Sequence, residues 1–223
     1  MTKILSIIPA RGGSKGLKKK NIINFLGKPL IAWSIEASIS SDYISKTIVS
    51  SDDDEILEIA KRYKSEILKR PEEFATDSSS SEEVVKHVLE CVEEYFEFVV
   101  LLQPTSPLRN KNDIDMAFRK FFSKNATSLI SLKEFDNKVL KSFIEKDDGF
   151  IEGLVNNSYP FMRRQDLPEI YLSNGAIYIV KVDEFIKNNS FFTDKTISFF
   201  MDDAKSVDID SIEDLNEINL RKQ

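Results

Sequence analysis

Cysteine and histidine are nearly missing from this chain of 223 residues: Cys91 and His87 are the sole examples. One cysteine excludes an internal disulfide, so nothing argues for an oxidising compartment. His87 and Cys91 stand one helical turn apart, but no second cysteine or histidine exists to complete a tetrahedral set. They read as helix packing rather than as a zinc site. Long apolar runs are missing too. The densest, residues 98–102, is far short of the roughly 18 residues a membrane helix needs. Pro9 and Arg11 interrupt the apolar N-terminal stretch before a signal-peptide core forms. These absences leave the cytoplasm as the expected location, with no membrane partner.

Positive charge is scarce overall. A net charge of −6 gives no general case for binding nucleic acid. Its distribution is uneven, however: the first 35 positions hold seven of the 31 basic residues and none of the 37 acidic ones. A concentrated basic segment on an acidic chain suits one compact anion rather than a long polyanion. The balance of 41% hydrophobic and 30% charged residues is that of a globular protein, and the length accommodates one core. Neither an internal repeat nor a linker divides the chain. One domain over residues 1–223 is expected.

The apolar patterning alternates between buried strands and amphipathic helices. Residues 3–9, 47–49, 98–102, 128–132, 178–180 and 197–201 read as strands, the first and third nearly continuous in apolar residues. Residues 52–63 and 113–122 read as helices, as does the stretch after Pro29. Ser80 and Glu83 have capping-box spacing before a further helix, and Ser211 and Asp214 before a last one. The alternation predicts an α/β fold, a Rossmann-like, mostly parallel sheet with helices on both faces. The rhythm breaks over residues 133–170. That stretch is charged and irregular, with Asp147-Asp148-Gly149 as a hairpin turn, and it reads as an inserted arm. Apolar residues punctuate it, including Phe143, Ile144, Phe150, Ile151 and Val155. An isolated hairpin of that kind is marginal in water, so it should pack on something.

The sharpest feature follows the first strand: IIPARGGSKGLKKKN, residues 7–21. Ligands of open α/β sheets bind beyond the carboxyl ends of strands, which is where this loop sits. Gly12, Gly13 and Gly16 let backbone amides approach an anion. Arg11 can grip phosphate oxygens bidentately, and Lys15 and Lys20 act as point charges. That combination suits a triphosphate. Neither common nucleotide fingerprint is present: Leu17 stands where a Walker A loop needs glycine, and Ser14 breaks GxGxxG.

This loop resembles the signature of the acylneuraminate cytidylyltransferases, the CMP-sialic acid synthetases. The likeness continues in order through GKPLIAWSIEAS (27–38), LKRPEEFATDSSSS (68–81), LLQPTSPLR (101–109), RQDLP (164–168), NGAIYI (174–179) and SVDID (206–210). The resemblance implies transfer of CMP from CTP to the anomeric hydroxyl of an acidic nine-carbon α-keto sugar of the sialic, legionaminic or pseudaminic type. It assigns Arg11, Ser14, Lys15, Lys20 and Asn21 to the nucleotide, joined by Arg70 and Ser81 at its base and ribose. Gln103 and Arg164 fall to the sugar, and Asp208 and Asp210 to Mg²⁺. Two carboxylates two residues apart in extended chain share a face, as that cation needs.

The implied chemistry is in-line attack on the α-phosphorus, with Arg11, Lys15, Lys20 and Asp210 as the catalytic set. His87 lies mid-helix, so the base stays open between Asp210 and a metal-bound water. The acidic triplet 52–54 reads instead as a helix N-terminus. The resemblance also implies a homodimer built through the arm. Two other readings remain: a cytidylyltransferase for another acid sugar such as a 3-deoxy-octulosonate, and a catalytically silent nucleotide-binding module.

Overall fold

The computed structural model describes residues 2–13 and 16–221. Ser14 and Lys15, two of the expected phosphate ligands, lie outside the described residues. In chain order the elements are β1 (Ile4–Pro9), a small hairpin of β2 (Asn24–Phe25) and β3 (Lys28–Pro29), α1 (Leu30–Ile39), β4 (Lys46–Ser51), α2 (Asp54–Arg62) and β5 (Glu66–Lys69). There follow α3 (Ser81–Cys91), β6 (Phe98–Leu101), α4 (Lys111–Ser123), β7 (Ser128–Phe135), and β8 (Phe143–Glu145) with β9 (Ile151–Gly153). The chain ends with β10 (Ile170–Lys181), α5 (Val182–Asn188), β11 (Thr196–Phe200) and α6 (Ile212–Arg221).

Seven strands form one sheet in the order β11-β7-β10-β6-β1-β4-β5. All its pairings are parallel except those of β10, which runs antiparallel to both β6 and β7. The mostly parallel sheet read from the sequence is therefore correct. Alternation along the central strands explains the layers. Ile4 and Ile8 of β1 and Val100 of β6 join Ile31, Ile56 and Phe118 from α1, α2 and α4 on one face. Leu5, Ile7, Val99 and Leu101 join Val84, Val88 and Phe185 from α3 and α5 on the other. Each such fully buried side chain contributes about 1.5–3 kcal/mol of hydrophobic stabilisation.

Local signals set most helix starts. Ser80 caps α3, its Oγ accepting from Glu83 N at 3.1 Å while Glu83 Oε2 accepts from Ser80 N at 2.8 Å. Such a cap is worth about 1 kcal/mol. Asn110 and Asp113 form the same reciprocal pair before α4, so this helix begins at Lys111, earlier than its apolar pattern indicates. Four elements escaped the sequence reading: the small β2–β3 hairpin, the edge strand β5 and the short helix α5. β10 is also much longer than residues 178–180. The hairpin of β8 and β9 turns at Gly149, whose φ of +81° favours glycine. It is a separate two-stranded sheet, as its pattern indicated. Among the described residues no helix is long and apolar enough to cross a membrane.

Candidate active site

The strand order reverses around β1, whose neighbours β4 and β6 are reached by connections in opposite directions. That switch point opens a cleft beyond the carboxyl ends of the strands. Arg11 follows β1, Arg70 follows β5 and Gln103 follows β6, and all three line one cavity of about 270 Å³. Lys20, Asn21, Ser81, Asp208 and Asp210 line it as well. Residues spread over the whole chain therefore meet in one place.

The basic loop folds back on itself through polar contacts. Gly12 N donates to Asp52 Oδ1 at 2.9 Å, and a Cβ at Gly12 would lie 2.7 Å from Asp53 Oδ2, so only glycine fits beside the start of α2. The triplet 52–54 is thus structural, as expected: Asp53 caps α2 and accepts from Glu55 N and Ile56 N. At its far end the loop passes so close to Asp210 that a Cβ at Gly16 would lie 2.7 Å from Asp210 O. Asn21 is buried, and its Nδ2 donates to Arg11 O at 2.8 Å, so its amide braces the loop while the residue lines the cleft. Lys18 is exposed, and Lys19 pairs with Glu55, whose hydrogen bond and charge raise the lysine pKa.

Three cations face the cavity in different states. Arg11 Nη1 donates to Thr76 O at 2.7 Å and lies 2.8 Å from Asp77 Oδ1. Lys20 Nζ pairs with Asp210 Oδ1 at 2.7 Å. Arg70 is only 4% exposed, and its Nε and Nη2 have no partner among the described residues. Burial lowers the Arg70 pKa; Asp52 partly offsets this, and the charge of Arg11 lowers it further. Buried, unpaired guanidinium donors are costly, and an anionic or carbonyl oxygen in the cleft would satisfy them.

The carboxylates line the same cavity beside the loop. Ile209 is fully buried against Phe25, Leu30, Leu215 and Ile218, so the extended chain turns its neighbours Asp208 and Asp210 outward together. Desolvation pushes the Asp208 carboxyl up. The charges of Asp210 and Asp214 add to that rise, while a Thr105 hydrogen bond and Lys20 oppose it. Ser81 is the first residue of α3, one position inside the Ser80 cap, which leaves it as a cleft residue rather than the cap.

A family model described as Cytidylyltransferase matches residues 5–223. The chain belongs to this family. It is 37% identical over 94% of its length to the N-acylneuraminate cytidylyltransferase of Escherichia coli, of which it spans 49%. It is 34% identical to the pseudaminic acid cytidylyltransferase of Campylobacter jejuni, with 96% of this chain and 93% of that protein aligned. The CMP-N,N'-diacetyllegionaminic acid synthase of Legionella pneumophila is 33% identical over 94% of this chain and 91% of its own. The chain thus spans about half of the first relative and nearly all of the other two. The fold resembles that of a CMP:2-keto-3-deoxy-manno-octonic acid synthetase complexed with CTP, at a TM-score of 0.74 and 15% identity, covering 99% and 98% of the two chains.

One expected sugar ligand lies apart from the enzyme's cleft. Arg164 lines a different cavity, of about 500 Å³, with Glu134, Asn137 and Tyr171, and its Nη2 is 3.3 Å from Asp136 Oδ1. His87 and Cys91 do meet, Nε2 to Sγ at 3.6 Å, but no group of three or more candidate metal ligands occurs among the described residues. The sequence reading missed Asp52 as a latch on the loop and Thr105 on Asp208. It also missed Arg109, which is buried beneath the cleft with Nη2 on Ser34 Oγ at 2.7 Å and Gln103 O at 3.2 Å. Burial pushes the Arg109 pKa down to about 10. Thr105 and Arg109 lie in LLQPTSPLR, and their place in that block was the available signal.

Proposed function

We propose that this enzyme transfers CMP from CTP to the anomeric hydroxyl of an acidic nine-carbon α-keto sugar, releasing pyrophosphate. The observation that carries the proposal is the convergence of Arg11, Lys20 and Arg70 with Asp208 and Asp210 in one cleft at the switch point. The names of its relatives, acting on N-acylneuraminic and pseudaminic acids or forming CMP-diacetyllegionaminic acid, support the substrate class.

Phosphoryl chemistry of this kind is mostly positioning and charge stabilisation. Arg11 and Lys20 hold the departing phosphates, exchanging Asp77 and Asp210 for phosphate oxygens. Lys15 and Ser14 share that task, and Asn21 steadies the loop. Arg70 and Ser81 take the base and ribose, and the Gln103 amide offers the sugar a donor and an acceptor together.

The donor set fits a hard cation. Two carboxylates on one face, with Asp208 raised by desolvation and by neighbouring negative charge, would be relieved by a positive ion. Asp208 and Asp210 would hold Mg²⁺, which when bound neutralises phosphate charge and favours hydroxyl attack.

The main sheet takes in residues 133–135 and 170, so the arm narrows to residues 136–169; it belongs to a single domain and serves a two-fold homodimer. Phe143, Phe150, Ile151, Val155 and Phe161 are exposed, the last by 82%, and a second copy would cover them. Arg164 then contributes to a sugar site only across that interface. The single cysteine supports a cytoplasmic location.

Pyrophosphate release with CTP and a panel of sialic, legionaminic and pseudaminic acids tests the reading. Turnover with one of these acids is expected. A preference for 3-deoxy-octulosonate would move the activity to that neighbouring substrate, and no release with any acid sugar would leave a nucleotide-binding module.

A further inference from the structure

Asn174 is buried at a break in the strand pattern. β10 shifts register between Ser173 and Tyr178, and residues 174–177 all turn away from solvent. Only 4% of Asn174 is exposed. An amide in such a place is costly unless it is hydrogen-bonded, and this one is engaged at both ends. Its Oδ1 accepts from Ser131 Oγ at 2.6 Å and Ala176 N at 3.2 Å, and its Nδ2 donates to Ser206 Oγ at 2.8 Å. Its backbone oxygen accepts from Ser106 Oγ at 3.3 Å.

These partners come from separate parts of the chain. Ser131 belongs to β7. Ser106 belongs to the proline-bounded turn that carries Gln103. Ser206 opens the segment that ends in Asp208 and Asp210. The turn and that segment also meet directly, Ile209 N donating to Thr105 O at 2.8 Å. Gly175 completes the joint: its φ is +73°, and a Cβ there would lie 2.4 Å from Gln103 Oε1. One buried asparagine therefore ties the sugar-side turn and the carboxylate segment to the sheet.

We infer that Asn174 is a positioning residue for the transfer reaction, holding Asp208 and Asp210 in register with Gln103 through Ser206. It lies beneath the cleft rather than in its lining. The inference rests on the reading of Asp208 and Asp210 as the cation site. A residue that merely supports the core would affect the whole sheet, whereas a positioning residue acts through one link. Ser206→Ala cuts that link, together with the Ser206 Oγ bond to Met201 O at 3.3 Å, and leaves the bonds from Ser131 and Ala176 in place, and Ser206→Thr retains a hydroxyl.

The test compares full-length wild type, Ser206→Ala, Ser206→Thr, Asn174→Ala and Asp210→Asn. Steady-state kinetics is combined with amide hydrogen exchange of the substrate-free protein. Ser206→Ala is expected to lower kcat by about 10- to 100-fold, with KM for CTP within about two-fold of wild type. Exchange should quicken in residues 206–211 and not in β6 or β7, and Ser206→Thr should restore both readouts. Asn174→Ala should show the same pattern more strongly; should it fail to fold, the two Ser206 variants carry the test. Wild-type kcat in Ser206→Ala, or faster exchange spread through β6 and β7, would overturn the inference. An inactive Asp210→Asn beside a wild-type-like Ser206→Ala defeats the positioning role alone. Full turnover by Asp210→Asn removes the proposed cation site and this inference with it.

Discussion

Lys20 Nζ lies 2.7 Å from Asp210 Oδ1, an ion pair between residues 190 positions apart in the chain. The lysine side chain is 17% exposed and the carboxylate 69%, so the pair joins an enclosed cation to an open carboxylate. Each partner has a proposed role toward a different ligand, phosphate for Lys20 and a cation for Asp210. In the structure the two charges pair with one another.

That relationship makes Asp210→Asn an informative variant. The change keeps shape and removes one charge from an exposed residue, so the thermal midpoint should stay near wild type. Turnover should fall on the order of 10²-fold or more. Wild-type activity should vanish in chelator and return on adding Mg²⁺. Full turnover in chelator would count against the cation site.

Within the basic loop the roles should separate sharply. Arg11 is partly enclosed and held by Thr76 and Asp77, whereas Lys18 is exposed. Arg11→Ala should cost about 2–5 kcal/mol in kcat/KM for CTP, the range for truncating a charge-assisted contact. Lys18→Ala should be nearly silent. Equal values for the two variants would mean that the loop's roles are misassigned.

Stability should depend on Asp115 in a pH-dependent way. Burial pushes its carboxyl up, but hydrogen bonds from Lys111, Ser41 and the backbone of Asp42 outweigh this and hold the pKa below the ordinary carboxylate value. A depressed pKa contributes stability that is full above the unfolded value, about 3.9, and is lost as pH falls through the folded one. Asp115→Asn should therefore destabilise by about 1–3 kcal/mol near neutral pH. The gap from wild type should shrink below about pH 4. Urea midpoints measured across that range check this, and a gap that does not change with pH would contradict it.

The arm should be needed for assembly. Deleting residues 139–155 removes the β8–β9 hairpin and its exposed apolar side chains. The variant is expected to bind CTP yet lose both dimerisation and transfer. Light scattering that finds a monomer for the intact, active enzyme would defeat this, as would a deletion variant that still dimerises.

Much of this architecture was written in short stretches of chain. Continuous apolar runs marked β1 and β6, capping pairs marked α3 and α6, and Asp147-Asp148-Gly149 marked the arm's turn. The alternation in SVDID, with Ile209 between two aspartates, announced that both carboxylates share a face. These are local signals, set by the period of the backbone and by the first few residues of each element.

Other features depend on partners far away in sequence. The edge strand β5 is four residues of mixed polarity, and its pairing with β4 defines it. The length of β10 comes from the pairing of residues 170–173 with residues 132–135 of β7, across a register shift. The sequence by itself determined the α/β alternation, the family and the chemical types in the loop. Tertiary structure alone decided that Arg70 is buried with its Nε and Nη2 unpartnered among the described residues, that Lys20 meets Asp210, that Arg164 lies outside the cleft, and that Asn174 ties three segments together. The reason is physical: propensity and periodicity act over a few residues, whereas desolvation and long-range hydrogen bonds exist only once distant segments have packed.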